Sequence, residues 1–390
     1  MIPITFVIAA ILTPIVLVTA FFAVEVICGL WPVRSPTPAR ESVRTVIVIP
    51  AHDEEAVIAR TVAELKREAA EAARILVVAD NCSDATAAVA HSAGAELITR
   101  NDSERRGKGF ALAAARGHLS NDPPDVVIVL DADCRMDGAS LRILAATAAR
   151  SRRACQATNL LAPQPGGPVM VQISTLAFMI KNLVRQRGLM RLAGRVHLNG
   201  TGMALPWPVF ADADLGGSNI VEDLALGLEL AGTATAPILV EGARVWSPAA
   251  SAGGTLVQRR RWEGGYLATA LRKAPSALLR SIAHGDLRGI CAALDLSIPP
   301  LALLFVFNAV AFVLALAATL VGAAAWPLVV QVAVGIIAAI ALWLAWVREG
   351  RIFASGATLL RLPIYVLWKL PMYFGLARRG APKEWLRTGP

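Results

Sequence analysis

Asp125-Val-Val-Ile-Val-Leu-Asp-Ala-Asp-Cys-Arg-Met136 is the stretch from which the rest of the chain can be read. Five consecutive apolar residues, Val126 to Leu130, mostly β-branched, predict a strand covered on both faces, as in a parallel sheet flanked by helices. The strand ends in Asp131 and Asp133. One residue apart on an extended strand end, their carboxylates point the same way and suit one hard cation with the phosphate oxygens it holds. Ligands of open α/β sheets bind beyond the carboxyl ends of the strands, where this pair stands. A plain surface turn would also accommodate two aspartates, so the surrounding stretches carry the decision.

Three runs precede this strand: Val46 to Pro50, Ile75 to Ala79 and the weaker Glu96 to Thr99. Helical patterns separate them, Ala56 to Ala72 and an Ala-rich segment after Thr86, and a helix over Phe110 to His118 leads into the fourth strand. This alternation predicts right-handed βαβ units, hence an α/β, Rossmann-like, mostly parallel sheet. Asp53 and Asp80 stand just beyond the first two strands. A carboxylate there accepts hydrogen bonds from a base or ribose, or simply caps the next helix, as Ser83 and Asp84 also can. Arg105-Arg-Gly-Lys108-Gly combines a close-approach backbone with three cations before a helix and suits a diphosphate; a solvated basic loop fits as well.

Farther on, Ser218-Asn-Ile-Val-Glu222-Asp223 has the form of a helix start, with Asn219 as N-cap and Glu222 reaching back. Asp223 is then an acid that helix formation does not require. His197-Leu-Asn-Gly-Thr-Gly-Met203 is rich in glycine, for approach to an acceptor or for a tight turn before a strand. In Gln258-Arg-Arg-Arg261-Trp262, adjacent cations call for an anionic partner and the indole offers a flat face to a sugar ring. A basic membrane-surface patch is the competing reading.

The chain has 390 residues, 55% of them apolar and 17% charged, and needs both a water-facing and a membrane part. No Lys or Arg lies between Met1 and Val33 or between Gly289 and Val347. Pro3 to Leu30 exceeds the roughly 20 residues a spanning helix needs. Lacking a basic n-region and a cleavage pattern, it reads as an anchor. Arg34, Arg40 and Arg44 follow it and place the next domain in the cytoplasm. Ile298 to Ala324 and Pro327 to Val347 read as two more spans. Phe353 to Leu376 is interrupted by Arg361, Pro363, Lys369 and Pro371, which favours an interfacial or re-entrant piece over a crossing. Val169 to Leu192, with Lys181, Arg185, Arg187 and Arg191, and Leu267 to Ile282, with Arg272, Lys273 and Arg280, read as basic amphipathic helices on the anionic membrane surface. Five cysteines without a Cys-x-x-Cys pair point to free thiols in a reducing compartment.

The expected divisions are a membrane anchor over 1–33, a catalytic domain over 44–265, interface helices over 266–297, two membrane helices over 298–347, an interfacial, re-entrant or third membrane piece over 352–377 and a basic tail over 378–390.

Taken in order, these motifs resemble the membrane-integrated glycosyltransferases of family 2, such as cellulose, hyaluronan and poly-N-acetylglucosamine synthases and the related ceramide glucosyltransferases. The resemblance runs from about Val46 to Tyr266. It implies a GT-A fold with transmembrane and interfacial helices in a bacterial-type inner or plasma membrane. Pro50, Ala51, Asp53, Glu54 and Asp80 would form the pocket for the uridine of a UDP-sugar, and Lys108 would contact the nucleotide or its phosphates. Asp131 and Asp133 resemble the metal motif for Mg2+ or Mn2+, Asp133 being the direct ligand. Asp223 of the Glu222-Asp223 pair would be the general base. Gln258 to Trp262 matches Gln-x-x-Arg-Trp, in which Arg261 would hold the diphosphate and Trp262 the acceptor sugar. His52-Asp53 departs from the more usual Tyr-Asn. A single base implies inversion and a β-linked product, on a growing polysaccharide or, alternatively, on a lipid acceptor as in glycolipid synthesis. Membrane lipids and a partner subunit for export are expected partners, and nucleic acid is not.

Overall fold

A computed structural model of the chain describes residues 2–33, 42–216 and 222–380. Arg34, Arg40, the cap residue Asn219 and the basic tail beyond Gly380 lie outside the described residues. In chain order the elements begin with α1 (Ile2–Cys28), β1 (Thr45–Ala51), α2 (Glu55–Ala69), β2 (Ala73–Asp80), α3 (Thr86–Ser92), β3 (Glu96–Arg100), α4 (Lys108–Leu119) and β4 (Val126–Val129). They continue with α5 (Gly138–Ser151), β5 (Cys155–Leu161), α6 (Val169–Met179), α7 (Gln186–Ala193), β6 (Met203–Pro206), α8 (Trp207–Asp212), α9 (Glu222–Leu230) and β7 (Ile238–Ser247). Last come α10 (Ala252–Ala283), α11 (Leu287–Ser297), α12 (Leu301–Leu320), α13 (Trp326–Ala345), α14 (Gly356–Leu359) and α15 (Leu362–Arg379).

The strands form one seven-stranded sheet in the order β3-β2-β1-β4-β6-β5-β7. β1 pairs in parallel with β2 and β4, as the βαβ pattern predicts. β6 runs antiparallel to β4 and β5, so the sheet is mixed at the site's edge. The four anticipated strands lie within a few residues of their expected bounds. Two apolar clusters cover the sheet: Ile47, Ile49, Val77 and Ile128 point to one side, Val46, Val48, Leu76, Val127 and Val129 to the other. Both faces are buried because helices pack on each, and the loops at the strand ends are left as the place for chemistry.

Among the described residues, three helices are long and apolar enough to cross a membrane: Ile4–Cys28, Leu301–Leu320 and Trp326–Gly350, with mean hydropathies of 2.7, 2.6 and 2.5. Small residues let them approach closely: Ala311 and Ala315 meet Ile8 and Leu12, while Ala338, Ala341 and Ala345 pack with Phe22, Ala23 and Val26. Asn308 Nδ2 donates to Thr19 Oγ1 at 3.0 Å and Gln331 Nε2 to Asn308 Oδ1 at 2.8 Å, tying the three together. α15 is an 18-residue helix outside this set.

One expectation is corrected here. Arg185 and Arg187 are buried, and the helix they were assigned to does not present them to a lipid surface. A π-turn, Ile180–Arg185, joins α6 to α7 and turns these cations inward. Arg185 Nε meets Glu25 Oε2 at 2.6 Å and its second guanidinium nitrogen meets Asp295. Arg187 bridges Glu241 at 2.5 Å and Glu349 at 2.7 Å. Arg191 donates to the carbonyls of Cys28 and Pro32. The basic residues bolt α1 to the catalytic domain, because a buried guanidinium needs carboxylate partners. The second segment is not a helix of its own but the last part of the continuous α10, where Leu271, Leu279 and Ile282 are exposed beside exposed Arg272, Lys273 and Arg280.

Candidate active site

The acids that end β4 and begin α9 meet in one cleft. Asp131 follows the end of β4, and its amide donates to Thr201 Oγ1 at 3.1 Å. Lys108, first residue of α4, ion-pairs with Asp131 and donates to the Gly200 carbonyl at 2.5 Å. Gly200 has a φ of +79°, and a Cβ added there would lie 3.1 Å from Asp223 Oδ2 and 3.6 Å from Lys108 Nζ. Glycine is required on both counts, so the His197–Met203 loop is a turn before β6 and also a wall of the site. Glutamine holds that loop from behind: Gln156 Nε2 donates to the Thr201 carbonyl at 2.9 Å and Gln156 Oε1 accepts from Asn199 N at 2.8 Å.

Asp131, Asp133, Glu222 and Asp223 lie within electrostatic reach of Lys108 and Arg261. Crowding shows in the ionisation. Desolvation, then the charge of Asp223, pushes Glu222 up to about 7. Asp223 is raised by desolvation despite Lys108 and Lys181. Asp133 is raised by desolvation and by Asp131. Burial would lower the Lys108 ammonium, but Asp131, Glu222 and Asp223 together hold it above its ordinary value. The cleft thus carries more negative charge than its cations comfortably match, and its all-oxygen donor set fits a hard divalent cation at Asp133 and Asp131.

Gln258, Arg261 and Trp262 are spaced i, i+3, i+4 on α10 and share a side of the helix. Arg259 does not join them. Two residues from Arg261, it points the other way, is 6% exposed, and donates to Ser174 Oγ and to the Ser174 carbonyl, both at 2.9 Å. Its guanidinium lies 5.2 Å from the Phe178 ring centroid and 5.4 Å from that of Trp262, and Phe178 and Trp262 stand 5.6 Å apart. The cation run therefore splits, with Arg261 toward the acids and Arg259 propping the indole.

The residues expected to line a nucleotide pocket stand separately, at the ends of β1 and β2. Pro50 and Ala51 are buried strand residues, and Glu54 N donates to Thr86 Oγ1 at 2.7 Å. Asp53 Oδ1 accepts from Ser83 N at 2.6 Å and Asp84 N at 3.3 Å, and Oδ2 accepts from Ser83 Oγ at 3.0 Å. Asp80 is 4% exposed and paired with Arg100 at 2.6 Å. Both carboxylates are thus committed to partners within the chain, tying together the loops at the ends of β1, β2 and β3. Arg100, which lies 5.4 Å from the Phe110 ring centroid, was not singled out in the sequence. Lys181 was read as a membrane-surface cation, but its Nζ sits 4.9 Å from the Tyr266 ring centroid and within electrostatic reach of Asp223. A π-turn has no signal in hydrophobic periodicity that could have found it.

Residues 43–265 match the family model described as glycosyltransferase like family 2, which is more than half of the chain. The chain belongs to that family. This glycosyltransferase is an enzyme that acts on nucleotide-sugars. No curated protein sequence matches it. Among solved structures it is similar to the mannosyltransferase PcManGT from Pyrobaculum calidifontis in complex with GDP-Man and Mn2+, at 18% identity and a TM-score of 0.54, over 93% of this chain and 99% of that one. Glucosyl-3-phosphoglycerate synthase from Mycobacterium tuberculosis, in complex with Mn2+, UDP-glucose and phosphoglyceric acid, aligns at 15% identity and a TM-score of 0.41 over 61% of this chain and 85% of that one. At these identities the likeness is one of fold, and the first carries the GT-A assignment.

Proposed function

We propose that this glycosyltransferase moves a hexose, with inversion, from a UDP-sugar to a hydroxyl of a lipid-borne acceptor at the cytoplasmic surface of a membrane. Asp223 is the general base. Burial raises the basicity of its carboxylate, Asp131 adds to this, and it stands at the head of α9 facing Lys108. Glu222, at about 7, is the alternative base. Arg261 and Lys108 supply fixed positive charge for the departing diphosphate, and Trp262, propped by Phe178 and Arg259, faces the acceptor sugar or headgroup. When bound at Asp133 and Asp131, Mg2+ or Mn2+ would neutralise charge developing on the leaving group. Pro50, Ala51, Asp53, Glu54 and Asp80 form the base pocket, and Gln258 lines the diphosphate side.

The observation that carries the lipid acceptor is the pairing of α10 with α15. Glu263, next to Trp262, accepts from Lys369 Nζ at 2.5 Å and from Tyr373 Oη at 2.8 Å. The other side of α15 exposes Ile364, Leu367 and Phe374. The acceptor side of the cleft thus abuts a helix suited to lie in a membrane interface. The three membrane-length helices contact one another directly, and such a closed trio favours a lipid acceptor over a polymer threaded through this chain alone. Reconstituting the full chain in lipid vesicles with radiolabelled UDP- and GDP-hexoses tests this. Label from UDP-hexose should enter the organic extract. Label in a water-soluble polymer would overturn the acceptor, and label from GDP-hexose alone would overturn the donor.

A further inference from the structure

One cluster outside the acid cleft has a different chemistry. His52 and Asp53 follow β1 and Cys82 follows β2, so parallel neighbours bring an imidazole, a carboxylate and a thiol to the same end of the sheet. One ligand atom from each lies within 4.8 Å of the others. His52 Nε2 and Asp53 Oδ2 are 3.8 Å apart, within about half an ångström of the ~3.3 Å edge between a nitrogen and an oxygen ligand on a tetrahedron with zinc-type bond lengths. His52 Nδ1 lies 2.7 Å from the Asp80 carbonyl. A carbonyl only accepts, so Nδ1 bears the ring proton and Nε2 the lone pair, which is how metal-binding histidines are oriented. The bonds from Ser83 and Asp84 fix the Asp53 carboxylate. Asp53 itself sits at a φ of +54°, as does Asn81 beside Cys82, a conformation that costs a non-glycine residue free energy. All three side chains are half-buried, close enough to solvent for an ion to enter.

We propose that His52, Asp53 and Cys82 form a second cation site, for a borderline or soft divalent ion of the Zn2+ class, on the wall of the base pocket. Nitrogen, sulfur and oxygen donors select such an ion over Mg2+ or Mn2+, whereas Asp131 and Asp133 have the opposite preference. With three protein ligands, the fourth position falls to water. Because Asp53 and Asp80 border the space in which the nucleoside is seated above, an ion held there excludes the nucleotide. That consequence rests on the proposed function; the ion site does not.

The test uses the purified full chain in detergent with Co2+ as the probe. One equivalent of Co2+ should produce a thiolate-to-cobalt charge-transfer band that Zn2+ abolishes and Mg2+ leaves in place. The band should vanish in Cys82→Ala, weaken at least tenfold in apparent affinity in His52→Gln, and persist in Asp133→Asn. Cys82→Ser serves if Cys82→Ala does not fold. A band that survives either Cys82 variant or disappears in Asp133→Asn, or no cobalt uptake at all, overturns the site. In calorimetry, Zn2+ should weaken UDP binding tenfold or more in the wild type and not in Cys82→Ala. Unchanged UDP affinity in zinc-loaded protein overturns the exclusion, whereas absence of UDP binding in zinc-free protein supplied with Mg2+ overturns the nucleotide assignment instead.

Discussion

Two acidic groups stand at the carboxyl ends of the same sheet and are built in opposite ways. At β1 and β2 each carboxylate is met by donors: Asp53 by Ser83 and Asp84, Asp80 by Arg100. Hydrogen bonds from Ser83 outweigh burial and hold Asp53 below its ordinary value. At β4 and α9 burial raises Asp133, Glu222 and Asp223, and neighbouring carboxylates add to it. The first arrangement stabilises the fold and shapes a wall. The second holds groups in a costly state that an incoming cation, diphosphate and proton can relieve, which is what a catalytic centre requires.

The largest effect that would sharpen this contrast is removal of divalent cations. Excess chelator should reduce transfer to background, with activity restored by Mn2+ or Mg2+; full turnover in chelator would mean that the crowded acids do not serve a metal. Next, Asp223→Asn should lower turnover by ~10²–10⁴-fold with UDP affinity nearly unchanged, the usual worth of a positioned base. If Glu222→Gln abolishes transfer while Asp223→Asn retains most of it, the roles are reversed. Arg261→Ala should weaken UDP binding by about 10–100-fold, the value of a charge-assisted hydrogen bond of ~1.5–3 kcal/mol. Trp262→Ala should spare UDP and lose transfer, and equal impairment in calorimetry would contradict the split seen along α10.

The smallest effects are on stability and have opposite signs. Asp53 has a lowered folded pKa, so its contribution is present above the unfolded value and lost as pH falls through the folded one. Asp53→Asn should therefore cost about 1 kcal/mol at pH 7 and progressively less in acid. Glu222 is raised to about 7, so the wild type loses stability as pH rises from the unfolded carboxylate range through 7. Glu222→Gln should stabilise the fold above pH 7, by at most about 3 kcal/mol, and make no difference below pH 4. Melting curves at pH 4 and 8 read both, and matching signs would erase the distinction between the two groups.

Strands β1, β2 and β4 were legible because a strand buried on both faces must be apolar throughout, and the membrane-length helices because lipid demands some 20 apolar residues. The acids Asp131, Asp133 and Asp223 stood out in the sequence by their places after a buried strand and at a helix start, but their common approach to Lys108 did not. β5 was not legible: Gln156, Thr158 and Asn159 are buried in it, and Gln156 and Asn159 find partners far along the chain, the Thr201 carbonyl and Ser247 Oγ. The direction of β6, the split of Arg259 from Arg261 and the inward turn of Arg185 and Arg187 share that cause. Composition and periodicity fix which residues leave water, a local property of each segment. Which partner a buried charge or amide finds depends on groups 160 positions away, as for Glu25 and Arg185, or farther, as for Thr19 and Asn308, and only the folded chain brings those together.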